Sequence, residues 1–239
     1  MLTLVGTGHV FDLSSAITSI LYEKMPDVIC LELDEKRFQA LKQRRESGMK
    51  AGNTSLPILY KFLAGFQEKL AEKYGTTVGN EMLAADEFAS INNIGIELID
   101  VDAEKLLLRM WKEMKLIEKI RLFISSFTGL FISKKNVEKE LEKLQENYYD
   151  YIEEISKKLP TIKKVLIDDR NEYMANKLIE LNKKYKKIVA IVGDGHIEGL
   201  NKILERNKIE TEIIRLKDLL ENAESRKNEI HFTVEYETL

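Results

Sequence analysis

The sequence is poor in residues that staple or punctuate a fold. It has one cysteine, three prolines and three histidines in 239 residues. A lone cysteine rules out a disulfide framework within the chain. Cys30 lies in the apolar run Val28 to Leu33, so it reads as a buried, reduced thiol rather than a nucleophile. Positive charge is not in excess either: 37 Lys and Arg face 40 Asp and Glu, and no basic stripe interleaves with aromatics. Nucleic acid is therefore not an expected partner. No apolar run reaches the ~20 residues of a bilayer span. The first residues read as a strand, not a signal peptide, and a cytoplasmic protein is expected. P-loop, H-E-x-x-H and G-x-S-x-G patterns are absent, which argues against kinases, zincins and serine hydrolases. With 44% hydrophobic and 32% charged residues, the chain has the composition of a soluble globular protein.

The few histidines are concentrated in one setting. Leu2-Thr3-Leu4-Val5 runs into Gly6-Thr7-Gly8-His9, and Val189-Ala190-Ile191-Val192 runs into Gly193-Asp194-Gly195-His196. Each is a G-x-G-H segment after a buried-type strand, read as a tight turn whose glycines take positive φ or allow close backbone approach. Open parallel sheets place ligands at the carboxyl ends of their strands. His9 and His196 are thus expected to face one ligand. Helix-like segments separate five strand-like runs, at 1–5, 28–31, 94–99, 187–192 and 211–216. The expected fold is α/β, with a mostly parallel central sheet, flanking helices and one domain over 1–239. The block 103–185 exceeds an ordinary crossover and is expected as an inserted helical subdomain.

Carboxylates gather at the same sheet edge. Glu32 and Asp34 follow the second strand, and Asp100 and Asp102 the third. Glu81 opens a helix and shares a face with Ala85, Phe88 and Ala89, an apolar setting for a charge that otherwise serves the helix dipole. Ile167, Asn171, Met174, Leu178 and Leu181 form one stripe with Arg170 beside it. Arg170 and Asn171 would bind a substrate carboxylate or an oxyanion, or pair with Asp100 or Glu32. Two histidines with one or two glutamates suit Zn, Mn, Co or Fe, with Mn, Co or Zn expected. Without metal, His9 would act as general base for a water.

These residues resemble the TraB/pheromone-shutdown family. The resemblance rests on Gly6-Thr7-Gly8-His9, on Pro26-Asp27-Val28 through Glu32-Leu33-Asp34-Glu35-Lys36-Arg37, and on Gly79-Asn80-Glu81-Met82-Leu83-Ala84-Ala85. Ile167-Asp168-Asp169-Arg170-Asn171-Glu172-Tyr173-Met174 and Val192-Gly193-Asp194-Gly195-His196-Ile197-Glu198-Gly199 complete it. The resemblance implies a place beside the Tiki proteases and the erythromycin esterase/ChaN-like superfamily. It also implies an active site built from two G-x-x-H motifs and a glutamate. One departure is Asp100-Val101-Asp102, where the family tends to have Asp-Arg-Asp. The expected activity is a metal-dependent hydrolase of peptides, with His9, His196, Glu32 and Glu81 holding the ion. Glu32 or Glu81 would also act as base, and Arg170 or Asn171 would steady the oxyanion. The alternatives are a sequestering protein for peptide or haem, and a metal-free histidine esterase. A peptide or protein substrate is expected, with a homodimer through the apolar 122–132 run or the alternating 229–238 strand. The 122–132 run also suits a peripheral membrane contact.

Overall fold

Five short apolar runs become five parallel strands. β1 (Leu2–Thr7), β2 (Val28–Leu31), β3 (Gly95–Leu98), β4 (Ile188–Gly193) and β5 (Thr211–Ile214) form one sheet in the order β3-β2-β4-β1-β5. The three central strands are almost wholly buried, and the edge strands only partly. That is why the central runs carry no polar alternation, since parallel strands are covered on both faces. The structure, a computed structural model, describes residues 1–8, 12–47, 79–121 and 157–221. The apolar 122–132 run, the strand expected over 229–238 and His9 lie outside them. The chain divides into two compact units, Met1–Asp102 with Asn171–Leu239, and Ala103–Arg170.

In the first unit the helices sort to two faces of the sheet. On one face α1 (Ser14–Lys24) and α3 (Asn80–Asn92) bring Ile17, Leu21, Met82 and Phe88 onto Ile29, Leu31, Val189 and Ile191. α2 (Glu35–Ser47) follows β2. On the other face α6 (Asp169–Asn182) and α7 (Asp194–Arg206) bring Met174, Leu178, Ile197 and Leu200 onto Leu4, Cys30, Ala190 and Val192. The connection from β1 to β2 and that from β4 to β5 therefore cover opposite faces. The sheet changes winding direction at its centre, where β1 and β4 lie side by side, and such a point opens a crevice at the carboxyl edge. Strand alternation fixes what reaches that edge on the α6–α7 side. Val28 and Cys30 face that way, and the next position in phase is Glu32. Cys30 is fully buried, and burial pushes its thiol well above the ordinary range, which makes it a core residue.

The turn expected after β4 is replaced by a helix. α7 begins at Asp194, directly after Gly193, rather than near Glu198. Gly193 has φ −58°. Among the described residues Gly79, which opens α3 at φ 90°, is the one glycine with positive φ. His196 therefore sits in the first turn of a helix, which holds its ring more firmly than a loop would.

The second unit contains α4 (Ala103–Glu113), the short α5 (Pro160–Lys163) and a π-helical turn, Lys164–Asp168, that runs into α6. The expected continuous stripe is broken there. Val165 is buried and Ile167 half-buried, because the wider turn shifts the helical phase before Asn171. Glu118 ties the unit together. Its carboxylate accepts the Lys115 N–H at 2.9 Å, the Thr161 N–H at 2.8 Å and the Thr161 hydroxyl at 2.8 Å. Burial alone would push this carboxyl up, but the three donors outweigh it and hold it below the ordinary value. A lowered folded-state pKa stabilises the fold above the unfolded value, and that stability is lost as pH falls through the folded one. Glu118→Gln is expected to melt below the parent at neutral pH, with the gap closing below about pH 4. Thermal melts across that range check it. A gap independent of pH counts against it.

Candidate functional site

Three elements bring one polar cluster to the carboxyl edge on the α6–α7 face. β2 supplies Glu32, the first turn of α7 supplies His196 and α6 supplies Asn171. All three are at most 6% exposed. Each oxygen of Glu32 has a distinct place: Oε2 accepts the Gly193 N–H at 2.6 Å, and Oε1 stands 3.4 Å from His196 Nε2. On the far side of the ring, Nδ1 lies 2.7 Å from Asn171 Oδ1. An amide oxygen only accepts, so Nδ1 carries the proton and donates it. In the neutral ring Nε2 is then a lone pair facing a carboxylate oxygen. Two acceptors face each other, and a shared cation, either a metal ion or a proton, makes that arrangement favourable.

Glu81 is fully buried in the first turn of α3, among Met82, Ala85 and Phe88, on the face the sequence pattern gives it. α3 leads into β3, which is parallel to the other strands, so the start of α3 lies toward the carboxyl edge. It approaches from the α1–α3 side, whereas His196 and Asn171 come from the other. Arg170 belongs to the second unit and donates to the Leu166 carbonyl at 3.3 Å. Asn171 meets His196 through its carbonyl oxygen. Among the described residues no group of three or more His, Cys, Asp or Glu side chains is arranged to hold a metal ion.

The model of the TraB/PrgY/gumN family matches residues 1–212, from β1 into β5. The chain belongs to the TraB/PrgY/gumN family. It is also 34% identical over 213 residues to a protein of Methanocaldococcus jannaschii described as "Uncharacterized protein MJ1365". That alignment covers 85% of this chain and 53% of the relative, so the chain spans about half the length of the curated relative it matches.

Sequence reasoning missed the cation that holds two of the carboxylates of this TraB/PrgY/gumN-family chain. Arg37, in the first turn of α2, donates through Nε to Asp34 at 2.7 Å and through Nη2 to Asp100. Asp34 also caps α2 by accepting the Arg37 N–H at 3.0 Å. Asp100 thus meets Arg37. Asp102 pairs with Lys36 at 3.2 Å. The signal was present as the Asp34-x-x-Arg37 spacing, one helical turn at a helix start. Asp194 makes a second clamp. It accepts Arg215 Nε at 2.9 Å and Nη2 at 2.6 Å, passing a point 2.3 Å from where a Cβ on Gly6 would sit. The first glycine of the amino-terminal motif therefore makes room for a side chain of the second motif.

Gly199 does the same for Asn171. A Cβ there would lie 2.1 Å from Asn171 Nδ2 and 2.9 Å from its Cγ. Gly199→Ala is expected to push the carboxamide off His196 while the fold persists. Losing the partner that orients a histidine costs about 10–100-fold in metal affinity or activity. Metal titration beside a circular-dichroism melt checks this. Unchanged affinity at an unchanged melt would show that Asn171 does not orient the ring.

Proposed function

We propose that this chain is a divalent-metal-dependent hydrolase acting on peptides, with Glu32 and His196 as two ligands of the ion. The supporting observation is the facing pair Glu32 Oε1 and His196 Nε2, 3.4 Å apart, with the imidazole fixed from behind by Asn171. Two donors about 2.1 Å from one tetrahedral ion stand about 3.4 Å apart. A neutral histidine whose outer N–H is engaged also has the electronic form a metal requires. Mn, Co and Zn suit this donor set. His9 completes the ligand set in this proposal, from the repeated G-x-G-H pattern, and the buried Glu81 is the base.

When bound, the ion supplies Lewis acidity to a carbonyl and to water. The chain's own residues do the rest. The Gly193 N–H holds Glu32 Oε2, which keeps Oε1 aimed at the ring. Asn171 Oδ1 keeps the imidazole turned so that Nε2 faces the cleft. Glu81 takes the proton of the attacking water and returns it to the leaving amine. Metal analysis of protein purified without chelator, followed by cleavage of a diverse peptide library with and without chelator, tests the reading. Bound Mn, Co or Zn with chelator-sensitive cleavage supports it. Metal-free protein that cleaves esters through His196 would replace it with the protonated Glu32–His196 pair. Tight peptide binding without cleavage would replace it with sequestration.

A further inference from the structure

The second unit carries an apolar surface that its own described residues leave open. On α4 Leu108 is 57% and Trp111 45% exposed, while Leu107 and Met110 of the same helix are buried. In the helical turn that follows, Leu116, Ile117 and Ile120 are 74%, 52% and 45% exposed. Lys119 Nζ lies 5.0 Å over the Trp111 ring, so the two helical segments border one surface. Five large apolar side chains in a span of thirteen residues exceed the single scattered hydrophobes of an ordinary surface.

Charge says what covers it. Residues 103–121 hold six basic side chains against three acidic ones, in a chain of net charge −3. Lys112 and Lys115 are exposed beside the apolar residues, with Lys119 and Arg121 next to them. Apolar side chains including a tryptophan, rimmed by lysines, form the pattern of a helix lying in the headgroup layer of an anionic bilayer. A two-fold contact with a second copy would bring the lysine rims together and repel. From this we infer that the face formed by α4 and the helical turn after it, Leu108 through Arg121, docks the protein on an anionic lipid surface. Trp111 and Ile117 enter the interface, and Lys112 and Lys115 meet lipid phosphates.

Trp111 is the sole tryptophan of the chain, so its emission reports this face directly. The full chain would be mixed with vesicles of phosphatidylcholine alone or of phosphatidylcholine with phosphatidylglycerol. The expected result is a blue shift and co-sedimentation with the mixed vesicles only, both weakened by salt. Lys112→Glu/Lys115→Glu should bind at least about 10-fold more weakly, given the attraction of each basic residue to an anionic surface. Ile117→Glu should lose the blue shift, with its circular-dichroism spectrum confirming the fold. Equal binding to neutral vesicles, binding retained by the charge-reversed variant, or no binding at all would overturn the inference. A concentration-dependent shift without vesicles would also overturn it, in favour of a second copy.

Discussion

His196→Ala is expected to abolish both metal binding and hydrolysis. The imidazole touches both Glu32 and Asn171. Removing it leaves a carboxylate and an amide with no ring between them. Bound metal should fall from one equivalent to none, and peptide cleavage by about 10²–10⁴-fold or more, the range for losing a positioned catalytic group. Glu32→Gln and Glu81→Gln then separate ligand from base. A lost ligand releases the ion, whereas a lost base leaves it bound and the enzyme slow. Glu32→Gln retains an oxygen for the Gly193 N–H, so local structure should survive. Metal analysis and turnover on the same preparations decide the assignment. Full metal content and full activity in His196→Ala would remove this site from the chemistry.

Arg37→Ala is expected to give the largest loss of stability among single changes at this edge. The guanidinium joins Asp34, at the start of α2, to Asp100, just beyond β3, and both carboxylates are almost fully buried. Truncation leaves two neighbouring negative charges without the cation between them. Breaking a buried pair in this way costs about 3–5 kcal/mol. For a chain of this size that is a fall in Tm of about 6–20 °C. Arg37→Lys should recover only part of it, because Nε and Nη2 serve different carboxylates and an ammonium cannot span them as a planar fork does. Denaturant melts of the three proteins check the prediction. A loss under about 1 kcal/mol for Arg37→Ala would show that the pair acts as a surface bridge.

Much of the scaffold was decided locally. The runs at Leu2–Val5, Val28–Leu31 and Val189–Val192 are apolar without alternation. A strand buried on both faces has that pattern, so parallel sheet and α/β class followed from the residues. The helix over Ser14–Lys24 and the buried face of Glu81, Ala85, Phe88 and Ala89 followed from 3.6-residue periodicity. Family membership was legible for a similar reason, since its blocks are short and contiguous. What the glycines do was not legible. They were expected to supply positive φ or close backbone approach at a turn after each strand, yet α7 begins at Asp194. Gly6 and Gly199 instead make room for Asp194 and Asn171. A missing Cβ has the same letter whether it frees a dihedral or admits a neighbour.

The partnerships of the site were decided only in three dimensions. Glu32, Asn171 and His196 are separated by 139 and 25 positions, and no periodicity links them. The placing of β4 beside β2 sets the Gly193 N–H on Glu32, and the phase shift of the π turn precedes Asn171. Arg37 reaches Asp100 because β3 lies next to β2 in register, Leu31 opposite Leu98. Apolar burial depends mainly on how hydrophobic residues repeat along a chain, and the sequence states that repeat openly. A hydrogen bond or ion pair depends on a few tenths of an ångström between segments far apart in the chain, and strand order and helix phase set that distance.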